Sequence, residues 1–253
     1  MQIKNLHLKS LVLIMSVLFG RILSGSKTEK KKKKKELELA NFEISEDVLD
    51  DISTAKKIFY SLPSPLETAV LIKSAGANYD ETLLNPMENA NNYTTNKSMA
   101  LNLGIYTTDM SFASLFDQAQ TTINYMNSSK KMADGLGILD AIDDNTVQRL
   151  EENINNREVI MDIISETFMS SSSYLKENER AAIATVVLVG GWIEGLYIAT
   201  QLIDDNNLEN NELARRVYEQ KLSFDILQKL LQQHQNDPDI QDLQAQLEGL
   251  KKI

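Results

Sequence analysis

The chain has no cysteine among its 253 residues. That excludes disulfides, iron–sulfur clusters and zinc–thiolate sites, and leaves the fold to its core alone. Histidine is nearly as scarce. His7 lies in the N-terminal segment and His234 in a polar QQHQN context, so no Ser, His and Asp set assembles around either, and the Glu-x-x-His pairs of a di-metal carboxylate bundle are missing. No glycine-rich phosphate loop follows a strand. The prolines stand at 63, 65, 86 and 238, so residues 87–237 carry none and helices run unimpeded there. Alternation of apolar and polar residues at period two is also lacking, which argues against a sheet. Neither a cofactor nor a metal site is expected, and a catalytic role is not favoured.

Basic charge is scarce beyond the first 36 residues. Lys4, Lys9, Arg21, Lys27 and Lys30 to Lys35 lie within them, against Glu29 and Glu36, so the remainder holds 16 basic and 34 acidic residues. An acidic body of this kind does not bind nucleic acid through its surface. It does keep a domain soluble.

What is present begins with an export signal. Lys4 and Lys9 form a positive start, Leu11 to Phe19 (LVLIMSVLF) a nine-residue apolar run, and Ser24, Gly25 and Ser26 a small-residue end. A span of the bilayer needs ~20 apolar residues, so residues 1–26 read as a signal peptide, although Arg21 interrupts the usual pattern. Leu23-Ser24-Gly25-Ser26 resembles a lipoprotein lipobox with serine at the cysteine position. A hydroxyl is not the thiolate that lipid transfer requires, so no lipidation is expected at Ser26. Residues 27–44 form a Lys-rich linker, in which Lys30 to Lys35 cannot pack and stay solvated. Near an anionic membrane surface each lysine adds ~1 kcal/mol of attraction, so this run is also a candidate membrane-surface contact.

Residues 45–253 read as one all-α domain, a multi-helix bundle with a buried central helix. Ser45 caps an apolar stripe at Val48, Leu49, Ile52, Ala55, Ile58 and Phe59, and Ser64-Pro65-Leu66-Glu67 is a capping box for a short helix closed by Gly76. A single long helix is predicted from about Thr95 to Met126, on the stripe Leu101, Ile105, Thr108, Phe112, Leu115, Ala119, Ile123 and Met126. Further amphipathic segments are predicted near 144–154, 156–175, 179–203 and 209–234, with a short one after Pro238. The central helix is Ala181 to Ile203, 23 residues with Glu194 as the one charge. It is long enough to span a membrane, but Glu194 and the acidic flanks argue for burial in a bundle. Gly191 and Gly195, four apart, would let another backbone approach. If the loop near Asn207 joins antiparallel helices, Glu194 lies opposite about position 220, within reach of Arg216 or Lys221.

Two polar faces are the candidate ligand site. Glu194, Tyr197 and Gln201 share one face beside Trp192, and Asn102, Tyr106 and Asp109 share another on the long helix. Where the faces meet they would make a polar pocket with an aromatic wall, or an internal network that fixes register. The stretches GGWIEGLYIATQ (Gly190 to Gln201), SLPSPLETA (Ser61 to Ala69) and NKSMALNLGIYTTDMSFA (Asn96 to Ala113) together resemble an uncharacterised family of exported, lipoprotein-like helical proteins of Bacteroidota. The resemblance covers about residues 60–225 and implies no activity, substrate or cofactor. Members usually carry the lipobox cysteine, from which Ser26 departs. The expectation is therefore an exported protein of the periplasm or cell envelope that binds an envelope protein or a small ligand. The alternatives are a small-molecule or peptide sensor with its pocket on the Trp192 to Gln201 face, and an envelope hydrolase using a carboxylate pair.

Overall fold

The computed structural model describes residues 78–139, 145–178, 180–203 and 211–252. The signal peptide, Ser26, the lysine run and the two helices expected between Ser45 and Gly76 lie outside them. Within the described residues all regular structure is helical. Two short 3₁₀ turns, Glu81–Leu83 and Met87–Asn91, precede α1 (Asn96–Leu115), α2 (Ala119–Gly135), α3 (Asn145–Glu152), α4 (Arg157–Glu177), α5 (Ala181–Gln201), α6 (Glu212–Gln233) and α7 (Pro238–Leu247).

The helix starts follow from capping chemistry. Thr95 and Ser98 exchange side-chain and backbone hydrogen bonds in a capping box at the start of α1. Asn211 accepts from Leu213 N and Ala214 N to open α6, and Asp237 caps α7 with Pro238 in the first turn. The segments expected from 144 onward all appear as helices with ends shifted by a few residues. The long helix does not. It breaks after Leu115, where Asp117 takes a left-handed conformation at φ 58° and the N–H of Gln118 returns to Ala113 O. This is a glycine-type helix stop made by aspartate, which tolerates that region better than most residues. The stripe is therefore divided, with Leu101 to Leu115 on α1 and Ala119 to Met126 on α2, folded back against it.

α1 and α5 form the centre. Each is buried on most of its circumference, which is the mark of a core helix rather than an amphipathic surface one. α2 lies along α1, α4 flanks both α1 and α5, α3 packs on α4, and α6 covers α5 with α7 beyond it. The exposed Asp242 of α7 pairs with Lys97 at the start of α1, so the last helix also reaches back to the centre. α5 is the one described helix long and apolar enough to cross a membrane, yet 67% of its most apolar window is buried inside the bundle. The buried central helix expected from the sequence is this one.

The α1–α5 contact is made by backbone. A methyl group on Gly104 would sit 2.6 Å from Gly191 N as well as against Val187 O, and one on Gly190 would sit 2.9 Å from the Leu101 carbonyl carbon. The close approach thus falls on Gly104, Gly190 and Gly191. Gly195 does not share it. Its nearest neighbour would be the Thr108 methyl at 3.8 Å, because the helices have begun to diverge one turn on. Thr108 Oγ1 donates to Gly104 O at 3.1 Å and to Gly191 O at 3.3 Å, tying the two helices beside the crossing.

Candidate functional site

The two polar faces expected from the sequence do converge on one region, because α1 and α5 pack directly. Asn102, Tyr106 and Asp109 lie on the buried side of α1, with Asp109 and Tyr106 fully inaccessible, and Glu194 of α5 is 4% exposed. What joins the α1 residues is Asn85, a residue the sequence reading passed over. Its backbone N–H donates to Asp109 Oδ2 at 3.2 Å, and its side-chain amide donates to Asn102 Oδ1 at 3.0 Å and to the Tyr93 hydroxyl at 3.1 Å. Its carbonyl accepts from the Tyr125 hydroxyl at 3.1 Å, while Tyr106 donates to the neighbouring Pro86 O at 3.1 Å. Asn89 Nδ2 completes the set on Asn85 Oδ1. Residues 84–93 therefore form a strap across α1 and α2, pinned by hydrogen bonds to its one buried amide side chain.

This arrangement is an enclosed polar core. Asp109 is central to it, and its charge acts on Tyr79, Tyr93, Tyr106 and Tyr125. Glu194 acts on Tyr93 from the α5 side and on Tyr197, which is half-buried at the edge. Burial leads in pushing the tyrosine hydroxyls up, Tyr79 from 10.0 to about 12, where Glu81 is the next cause and Asp109 adds to it. For Tyr106 and Tyr125 burial again leads, with neighbouring tyrosine and Asp109 charge adding to it. Such groups stabilise the fold fully below their unfolded pKa and lose that contribution as pH climbs through the folded one. The Tyr79 contribution is thus complete below pH 10.0 and lost from there toward about 12, and those of Tyr106 and Tyr125 persist to higher pH. In an alkaline titration, tyrosinate absorbance from the buried rings should rise together with loss of the far-ultraviolet helical signal. Complete tyrosine ionisation near pH ~10 with the helices intact would contradict the enclosure.

The remaining candidates divide. Gln201 is partly buried near the end of α5, on the Glu194 side. Trp192 points the other way, toward α6, where its ring stacks on Phe224 with centroids 5.7 Å apart. It is therefore no wall of the Asp109–Glu194 region. The stacked pair, residues 192 and 224, is equidistant from position 208, the register the hairpin argument required. Of the two partners that argument suggested, Arg216 pairs at the surface with Glu212 and Glu219, and Lys221 is exposed. Glu194 itself acts on Tyr93 of the strap.

Asn85 was legible as half of an Asn-Pro turn signal, but its hydrogen-bond partners lie 8, 17, 24 and 40 residues away. No local pattern carries that. Among the described residues no group of three or more His, Asp or Glu side chains could hold a metal ion. Comparison of the chain with protein-family models, with curated proteins and with solved structures finds no match to any of them.

Proposed function

We propose that the chain is an exported protein of the cell envelope that acts by binding, its helical body recognising a partner or ligand without transforming it. One observation carries the choice of binding over catalysis. The side chains best suited to chemistry, Asp109, Glu194, Tyr106 and Asn102, lie under the strap, and Asn102, Tyr106 and Asp109 bond to the strap or to their own helix. A carboxylate pair that hydrolyses a substrate must meet it and a water molecule. Here the approach is closed by the strap, and the network fixes one register of strap, α1 and α2. Export is supported by the signal-like residues 1–26, and residence near the membrane by Lys30 to Lys35. The small-ligand reading also has a specific observation in its favour, the environment of Trp192 between α5 and α6.

The test is made in the native host. Mature protein should lack residues 1 to about 25 by intact mass, fractionate with the envelope, and cross-link there to a defined partner. Retention of Met1 in a soluble cytosolic fraction would end this reading.

A further inference from the structure

Trp192, Gln220 and Gln228 are each more than nine-tenths buried, at 4%, 7% and 8% exposure. Among the described residues, Trp192 Nε1, Gln220 Oε1 and Gln228 Nε2 have no hydrogen-bond partner. Trp192 stacks across the contact between α5 and α6 on Phe224, and Gln220 and Gln228 stand on α6 itself. Phe224, which stacks on Trp192, lies one turn after Gln220 and one turn before Gln228, so both amides flank the indole along the same face of α6. A buried polar atom left unpaired is unfavourable, and natural cores rarely keep several side by side. Leucine or methionine at 220 and 228 would fill the same space without that cost, so the retained amides call for a polar partner beyond the described residues.

From this we infer that the α5–α6 seam is a binding site for a small neutral ligand bearing hydroxyl or amide groups. The ligand brings oxygen acceptors for Trp192 Nε1 and Gln228 Nε2, and an N–H or O–H donor for Gln220 Oε1. Its apolar face lies against the indole and phenyl rings, as the C–H face of a sugar or the plane of an amide does. A charged ligand is disfavoured, because three neutral dipoles do not replace the hydration an ion would lose. α6 is the side that parts to admit it. α5 is locked to α1 backbone to backbone, whereas it meets α6 through side chains. This deepens the binding reading above and rests on it, while export is tested on the N-terminus and can fail or hold separately.

Trp192 is the sole tryptophan, so its emission reports on the seam directly. The parent and a Gln220→Met, Gln228→Met double variant are titrated with glucose (hydroxyls alone), acetamide (amide alone) and N-acetylglucosamine (both), and their melts are recorded without additive. The double variant should melt ~5 °C higher, since the unpaired amides are gone. The parent's emission should change saturably with at least one probe, and that response should be lost in the variant; the responding probe identifies which group is recognised. A double variant that melts at or below the parent would show that the amides serve the fold, and the site would be withdrawn. So would a higher melt accompanied by emission that is unchanged, or only drifts linearly, with all three probes.

Discussion

Gly190→Val should lower stability by ~3 kcal/mol or more, because the added carbons meet backbone rather than a side chain that can rotate away. In a domain of this size that corresponds to a fall in Tm of roughly 6–12 °C. The neighbouring atoms are the Leu101 carbonyl group, with its carbon 2.9 Å from where Cβ would stand. Relief requires α1 and α5 to separate along their length, which strips contacts from both central helices. Gly104→Ala should behave similarly, since its Cβ would press on Val187 O and on Gly191 N. The informative control is Gly195→Ala. There the new methyl meets only Thr108 Cγ2 at 3.8 Å, an ordinary contact, and alanine gains up to ~1 kcal/mol over glycine in a helix. Thermal melts of the three variants should therefore order Gly195→Ala at or above the parent and the other two far below it. Equal losses at 190 and 195 would mean that helix flexibility, and not close approach, accounts for the glycines.

Asn85→Leu is the second large effect. It removes the donor to the buried Asn102 Oδ1 and to the part-buried Tyr93 hydroxyl. Each buried group left unsatisfied costs about 1–3 kcal/mol, so a loss of ~3 kcal/mol is expected. Asn85→Asp separates charge from shape. It keeps the size but cannot donate when ionised, and it adds a negative charge beside Asp109, whose Oδ2 already accepts from the residue 85 N–H. Burial and the like charge raise the pKa of the new carboxyl above its unfolded value. The variant should therefore be closest to the parent at acidic pH and lose stability as pH rises toward neutrality. Denaturant melts of both variants at two pH values check this. A cluster held ready for a ligand would give the reverse for Asn85→Leu, with stability unchanged or raised.

These two sites mark where sequence reading succeeded and where it stopped. Helices α3 to α7 were legible because apolar residues recur at helical spacing and because Asn211, Asp237 and Pro238 supply local stop and start chemistry. The break between α1 and α2 was not. It has neither glycine nor proline, only Asp117 in a left-handed conformation, and the stripe continues across it as though the helix did. The meeting of Asn102, Tyr106 and Asp109 with Glu194 was readable from periodicity once α1 and α5 were taken as neighbours. The rotation of α5 was not, because a helix buried all round offers no polar side to orient it. Trp192 and Glu194, two residues apart, consequently serve opposite seams.

The Thr108–Gly191 bond joins residues 83 positions apart in the chain. Strap, α1 and α2 are local in sequence and can assemble among themselves, but the α1–α5 crossing must close a loop of that length, at ~4 kcal/mol of chain entropy plus a constant. Contacts of such separation set the pace of folding more than helix formation does. Until α5 arrives, one side of the apolar hairpin faces water. The order of synthesis compounds this, since α1 and α2 leave the ribosome before α5 exists. Were the chain exported as proposed, such lateness would serve it, because its centre cannot set until the second half has been delivered.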